Sequence, residues 1–156
     1  MLALGSSVYI AWSIGANDET MATVAGSGFL TPSRAVALGA LMDFLGAIFL
    51  GGRVEKTLGE GILSFQIGLM EAFIIILAVA TWLTLASSRG WPVSTTHSAV
   101  GAAIGIGFAI SGSQGINWEG VEKVAVGWVL SPVLGMVTSF FLYLVFSRLV
   151  ISKVMG

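Results

Sequence analysis

Residues 11–28 read AWSIGANDETMATVAGSG, and they interrupt what is otherwise an apolar, helix-length segment from Leu2 to Leu30. Gly15, Asn17, Asp18 and Glu19 are residues that an uninterrupted lipid-facing helix avoids, so the segment reads as two half-helices with a break between them. Hydrocarbon offers no partner to a free N–H or C=O, and non-helical backbone at that depth survives only against protein or a water-filled cavity. An ionised carboxylate near mid-membrane costs at least ~2.5–3.5 kcal/mol even on the lenient insertion scale. Asp18 therefore has to face a cavity, a cation or a partner. Gly15, Gly26 and Gly28 read as the flanks of the break.

Composition supplies the membrane setting. The chain has 156 residues, 56% of them hydrophobic and 10% charged, with a mean hydropathy of +0.95. A soluble domain carries about a quarter charged residues. At ~20 residues per helical crossing, five crossings take ~100 residues and leave little beyond loops. The expectation is an all-α, multi-pass integral protein of the cell membrane, 1–156 forming a single transmembrane domain in contact with lipid. A net charge of -1 leaves no basic surface for nucleic acid. Zero cysteines exclude thiol catalysis, and a single histidine argues against a zinc site. No Lys or Arg precedes the first apolar stretch, so it does not read as a cleavable signal peptide.

Four further hydrophobic units follow. The second, about Ala35 to Leu50, begins after Thr31-Pro32-Ser33, a helix start with proline in the first turn, and carries Asp43 in its middle. A loop from Gly51 to Ser64 leads to the third, Gln66 to Ala86, the cleanest span, with Glu71 one turn in and read as solvated. The fourth, Ala99 to Ile110, is opened by Ser94-Thr95-Thr96-His97-Ser98 and is rich in small residues that suit close helix packing. The last runs from about Val121 to Val150, with a kink expected at Ser131-Pro132 and Trp118 and Trp128 as interface markers.

Two polar clusters can carry chemistry: the break at residues 15–20 and the start of the fourth unit. Half-helix N-termini expose unpaired N–H groups and a partial positive charge, which together attract anions. Ser94, Thr95 and Thr96 add hydroxyl donors, although Ser and Thr also serve as simple caps. Placing Asp18 beside an anion is consistent in two arrangements. A cation such as Na⁺ sits between them, with Asn17 and freed carbonyls completing an oxygen shell. Alternatively a protonated oxyanion, hydrogen phosphate but not sulfate, donates a hydrogen bond to the carboxylate. Asp43 either joins the cation site or pairs elsewhere. His97 either relays protons or donates a structural hydrogen bond.

The sequence resembles the inorganic phosphate transporter (PiT) family of sodium- or proton-coupled permeases. The resemblance rests on AWSIGANDETMATVAGSG at 11–28, DFLGAIFLGGRV at 43–54, PVSTTHSAVGAAIG at 92–105 and GWVLSPVLG at 127–135. It implies a secondary active transporter with no enzymatic activity, whose GAND element, here Asn17 and Asp18, supplies substrate and cation ligands. Its STTHS element, here Ser94, Thr95 and Thr96, supplies phosphate-binding amides and hydroxyls. Na⁺ or H⁺ is the implied coupling ion, and no other cofactor is expected. Many relatives read GANDVANA, whereas this chain has Glu19, Thr20 and Met21 after Asp18, and Asp43 stands where Glu is common.

Members of that family resemble two inverted copies of one repeat, and this chain holds one. If all five units cross, Arg53, Lys56 and Lys123 fall on one side and Arg34, Arg89, Arg148 and Lys153 on the other, almost no orientation bias. Such balance fits an antiparallel homodimer that restores the inverted repeat. A second transporter half, or a longer chain of which this is a piece, are the competing readings. Transport of sulfate or another oxyanion, and a non-transporting membrane subunit or sensor, are the alternative functions.

Overall fold

The computed structural model describes residues 2–18, 21–56 and 61–148, with backbone alone at 2, 3 and 53–55. They belong to two compact units, Met1–Asn117 and Trp118–Gly156. The first holds α1 (Leu2–Asn17), α2 (Ala22–Gly26), α3 (Pro32–Lys56), α4 (Leu69–Ser88), α5 (Thr95–Ser111) and a 3₁₀ turn, Gly112–Gly115; the second holds α6 (Trp118–Phe146). Among the described residues there is no strand, only an isolated bridge between Leu63 and Ile116, so the all-α expectation is met.

The break falls where the polar residues put it. α1 stops at Asn17, with the Asp18 N–H still bonded to the Ile14 carbonyl at 2.7 Å, and helix resumes at Ala22. Glu19 and Thr20 lie outside the described residues. Pro32 opens α3 as expected, with Ala35 N–H donating to the Thr31 carbonyl. α3 then overruns the expected loop, continuing past Leu50 through Gly51 and Gly52 to Lys56. Each glycine costs about 1 kcal/mol in a helix, but leaving the helix in an apolar medium would strand backbone groups at a higher cost. Residues 57–60 of that loop lie outside the described residues, as does the end of the last unit beyond Arg148.

Three helices among the described residues are long and apolar enough to cross a membrane: Pro32–Gly52, Leu69–Ser88 and Trp118–Phe146. α5, with 17 residues, reaches only about 26 Å at 1.5 Å per residue, short of a ~30 Å hydrocarbon core. The side count that treated all five units as crossings therefore overstates the number of full-length spans. α6 continues as one helix past Pro132, which has no N–H to contribute to its hydrogen bonding, and has no buried residue.

α4 is the centre of the first unit. It packs against both α1 and α5, burying Val79, Ala80, Leu83 and Ala86 at helical spacing, with Val100, Ala103 and Gly107 of α5 and Ser6 and Ser13 of α1 also buried. Small residues dominate these positions because close backbone approach is what holds helices together in lipid. α3 packs on α2. At the C-terminal end of α5, Ile62, Leu63 and Ile116 are buried, tied by Ser64 N–H to the Gly115 carbonyl at 3.1 Å and Asn117 N–H to the Ile62 carbonyl at 2.9 Å. Gly115 lies against the backbone of Gly107, and a methyl group on Gly115 would collide with the Gly107 carbonyl.

Gly115→Ala is accordingly expected to destabilise the protein by about 1–3 kcal/mol, the range for overpacking a tight contact. Gly105→Ala, whose added methyl meets open space, should not. Thermal unfolding in detergent, followed by monodisperse size-exclusion signal, distinguishes the two.

Candidate functional site

α1 and α4 run parallel: Tyr9 and Ser13 meet Thr84, and Asn17 meets Ser87 and then Trp91. Both helices therefore end together, where the chain turns into α5. Gly90 makes the turn, with φ +67. The N–H of Trp91 bonds the Ala86 carbonyl and that of Gly90 bonds the Ser87 carbonyl, which is the Schellman arrangement that closes a helix with a left-handed glycine.

Asn17 holds this turn from the other side. Its amide NH₂ donates to Ser87 Oγ at 3.0 Å and to the Trp91 carbonyl at 3.1 Å, and its Oδ1 accepts the Val93 N–H at 3.2 Å. Both donors of the amide and one acceptor lone pair are used. Asn17 thus fixes the segment before Ser94 against the end of α1. Sequence reasoning named Asn17 but missed Ser87, Trp91 and Val93. Two of these partners act through backbone atoms, which no side-chain pattern reveals.

Ser94 is the N-cap of α5 and accepts the His97 N–H at 3.2 Å. Its Oγ also lies 2.7 Å from His97 Nδ1. The Ser94 carbonyl takes the Ser98 N–H at 3.1 Å and the Ser98 hydroxyl at 2.8 Å. The first turn of a helix leaves its leading N–H groups without intrahelical partners; those of His97 and Ser98 are provided for here, and those of Thr95 and Thr96 head the helix. Thr95 Oγ1 donates to Asp18 Oδ2 at 3.3 Å. The two sequence clusters, 77 residues apart, therefore meet at one place.

The electrostatics of that place are mixed by construction. Asp18 follows the C-terminus of α1, where the helix dipole is negative and a carboxylate is disfavoured, while the start of α5 presents the positive end of its dipole. Asp18, Ser94, Thr96 and His97 are exposed and Asn17 and Thr95 half-buried. Arg89 stacks over Trp91 at 5.2 Å. Asp43, exposed in the middle of α3, has no hydrogen bond to Asp18 or to the α5 start. Glu71 lies in the first turn of α4, its carboxylate folded back towards Gly68. No three acidic or imidazole side chains gather among the described residues, so a cation here would rely on hydroxyl, amide and carbonyl oxygens beside Asp18.

A family model described as "Phosphate transporter family" matches residues 14–155. The chain belongs to the phosphate transporter family. Relatives of this family member include the chloroplastic inorganic phosphate transporter 2-1 of Arabidopsis thaliana, 44% identical over 92% of this chain and 26% of its own length. A protein assigned as a phosphate permease in Pyrococcus abyssi is 34% identical over 98% of this chain and 40% of its own. A solved structure named the sodium-dependent phosphate transporter matches with a TM-score of 0.87 at 35% identity, over 94% of this chain and 38% of that one. The chain thus spans between about a quarter and two-fifths of the length of the relatives it matches. As a member of this family with helices long enough to span, it is an integral membrane protein.

Replacing Asn17 with Ala removes three hydrogen bonds at once. Each is worth roughly 1 kcal/mol, about a fivefold change in a local opening equilibrium. Amide exchange at Val93 should accelerate by at least about fivefold in Asn17→Ala, as read by mass spectrometry, while the α4 core around Leu83 stays protected.

Proposed function

We propose that this chain is one repeat of a secondary active transporter that moves inorganic phosphate across the membrane together with a cation, Na⁺ before H⁺. The observation that carries the reading is the meeting of Asp18 with Thr95 at the start of α5. A carboxylate at a helix C-terminus gains from a cation, and the N-terminus of α5 gains from an anion. Family membership favours phosphate as the anion. The name of the matching solved protein favours sodium as the cation.

In this mechanism phosphate takes the N–H groups of Thr95 and Thr96 and the hydroxyls of Ser94, Thr95 and Thr96. The cation sits against Asp18, with the remaining lone pair of the Asn17 carbonyl and the carbonyls ending α1 within its reach. Asp43 and His97 are the further groups assigned to coupling, Asp43 as a second carboxylate for the cation and His97 through its hold on Ser94. Neither charge is tolerated alone in an occluded, poorly hydrated site, so binding both lowers the cost of closure. Hydrogen phosphate can also donate a hydrogen bond to Asp18, which sulfate cannot, and this favours phosphate over the alternative oxyanion. A transporter with one such site per repeat needs a second, inverted repeat to face it. That partner is the other half of the transporter or an antiparallel second copy of this chain, so that 1–156 acts as a single transmembrane domain of the assembly.

Phosphate uptake into proteoliposomes under a sodium gradient tests the reading. Asp18→Asn keeps size and hydrogen bonding but removes the charge, and uptake should fall at least about tenfold, the effect of losing one ion contact worth ~1.4 kcal/mol or more, with assembly unchanged by size exclusion. Undiminished sodium-driven uptake in Asp18→Asn would reject the assignment. Folded, assembled wild type that takes up no phosphate under either gradient would favour the membrane subunit or sensor.

A further inference from the structure

Away from the site, the α1–α4 seam holds a buried hydroxyl cluster for which phosphate and cation binding have no direct use. Ser13 is fully buried. Its hydroxyl lies 3.0 Å from Thr84 Oγ1 and donates to the Tyr9 carbonyl at 2.9 Å. The Tyr9 hydroxyl lies 3.1 Å from the same Thr84 oxygen, and Thr84 donates to the Ala80 carbonyl at 2.8 Å.

A proton count identifies the hub. A hydroxyl has one donor and two acceptor lone pairs. With its proton committed to the Ala80 carbonyl, Thr84 accepts the Tyr9 proton, and it accepts from Ser13 only as far as the single Ser13 proton is shared with the Tyr9 carbonyl. Ser13 has one proton for two acceptors, the Tyr9 carbonyl and Thr84. Both α1 hydroxyls thus converge on a single α4 oxygen. Tyr9, Ser13 and Asn17 lie at i, i+4 and i+8, one stripe along α1, and face Thr84 and Ser87 at i and i+3 on α4. Apolarity by itself gives the seam no preferred register, because lipid and neighbouring side chains are equally apolar, and only the shape of the small-residue contacts resists a slide. Polar rungs do not slide.

We propose that Thr84 is a positioning residue: its hydroxyl fixes the register of α1 against α4 and so places Asp18 opposite Thr95. This rests on the reading of Asp18 and Thr95 as ligand groups. Their contact is long, at 3.3 Å, and a slip of one residue, about 1.5 Å along the axis, removes it. Thr84 touches no ligand and acts only through α1.

The chain has no cysteine, so spin labels can be placed at will. Val8→Cys and Leu69→Cys, both exposed, put one label on each helix about 18 Å apart along the common axis, so that an axial slip changes their separation. Their distance distribution in proteoliposomes reports register without any transport assay. Thr84→Val keeps the shape and deletes the hydroxyl; it should shift or broaden the distribution by about 1 Å or more, the projection of a one-residue slip onto the label axis. Thr84→Ser should match the parent. Tyr9→Phe, which removes one rung and leaves Thr84 in place, should give a smaller shift in the same direction and serves if Thr84→Val does not fold. In parallel, Thr84→Val should raise the phosphate KM about fivefold, the loss of one full and one shared rung of interhelical hydrogen bonding, with the serine variant restoring it. A Thr84→Val distribution that superimposes on the parent, or a serine variant as displaced as the valine one, overturns the proposal. Absence of uptake in the unsubstituted protein counts against the transport reading alone, and the label distances still decide the role of Thr84.

Discussion

The turn that leads into α5 is held by one side chain, the amide of Asn17, reaching across from the end of α1. A helix that starts in the middle of an apolar region has to be held there, since nothing in the hydrocarbon will hold it. The Schellman closure at Gly90 aims the chain, Pro92 gives the turn a residue with no N–H to satisfy, and Asn17 takes the Trp91 carbonyl and the Val93 N–H. The first turn of α5 then lies beside Asp18. Without that hold, the two polar clusters would be two separate breaks in two helices rather than one site.

The electrostatic logic follows from helix direction. Because α1 and α4 run parallel, two negative helix ends come together at the place where the positive end of α5 begins. A carboxylate at a helix C-terminus is unfavourable by roughly 0.3–1 kcal/mol when exposed, and Asp18 meets that position with a Thr95 hydroxyl as its hydrogen-bond donor. Such a site is matched to a pair of opposite charges better than to either one. That is the physical form that coupling takes in a symporter: each ligand makes the other's position less costly.

Much of this was legible in the sequence, for identifiable reasons. The break after Asn17 shows because Gly, Asn and Asp are costly in a lipid-facing helix, and the α5 start shows because Pro92 and Ser94 have strong local preferences. The overrun of α3 through Gly51 and Gly52 was not legible, since glycine weakens a helix in water and membrane alike, and only the medium decides which alternative is worse. The short reach of α5 was hidden by counting apolar residues without locating the helix ends. The Asn17 partners were hidden because backbone groups leave no mark on the sequence. Thr84 and Ser87 were overlooked for a different reason: isolated hydroxyls are tolerated in a spanning helix by bonding back to its own carbonyls, so the cleanest-looking span carried the polar face that organises its neighbour.

The central claim is that cation and phosphate are bound together at the meeting of α1 and α5. The most direct measurement is phosphate affinity of the assembled protein by titration calorimetry at a series of sodium concentrations, at constant ionic strength with a large organic cation as replacement. The account predicts that phosphate binds more tightly as sodium rises, and that saturating phosphate tightens sodium binding by the same factor. Phosphate affinity independent of sodium and of pH, in folded and assembled protein, would contradict it.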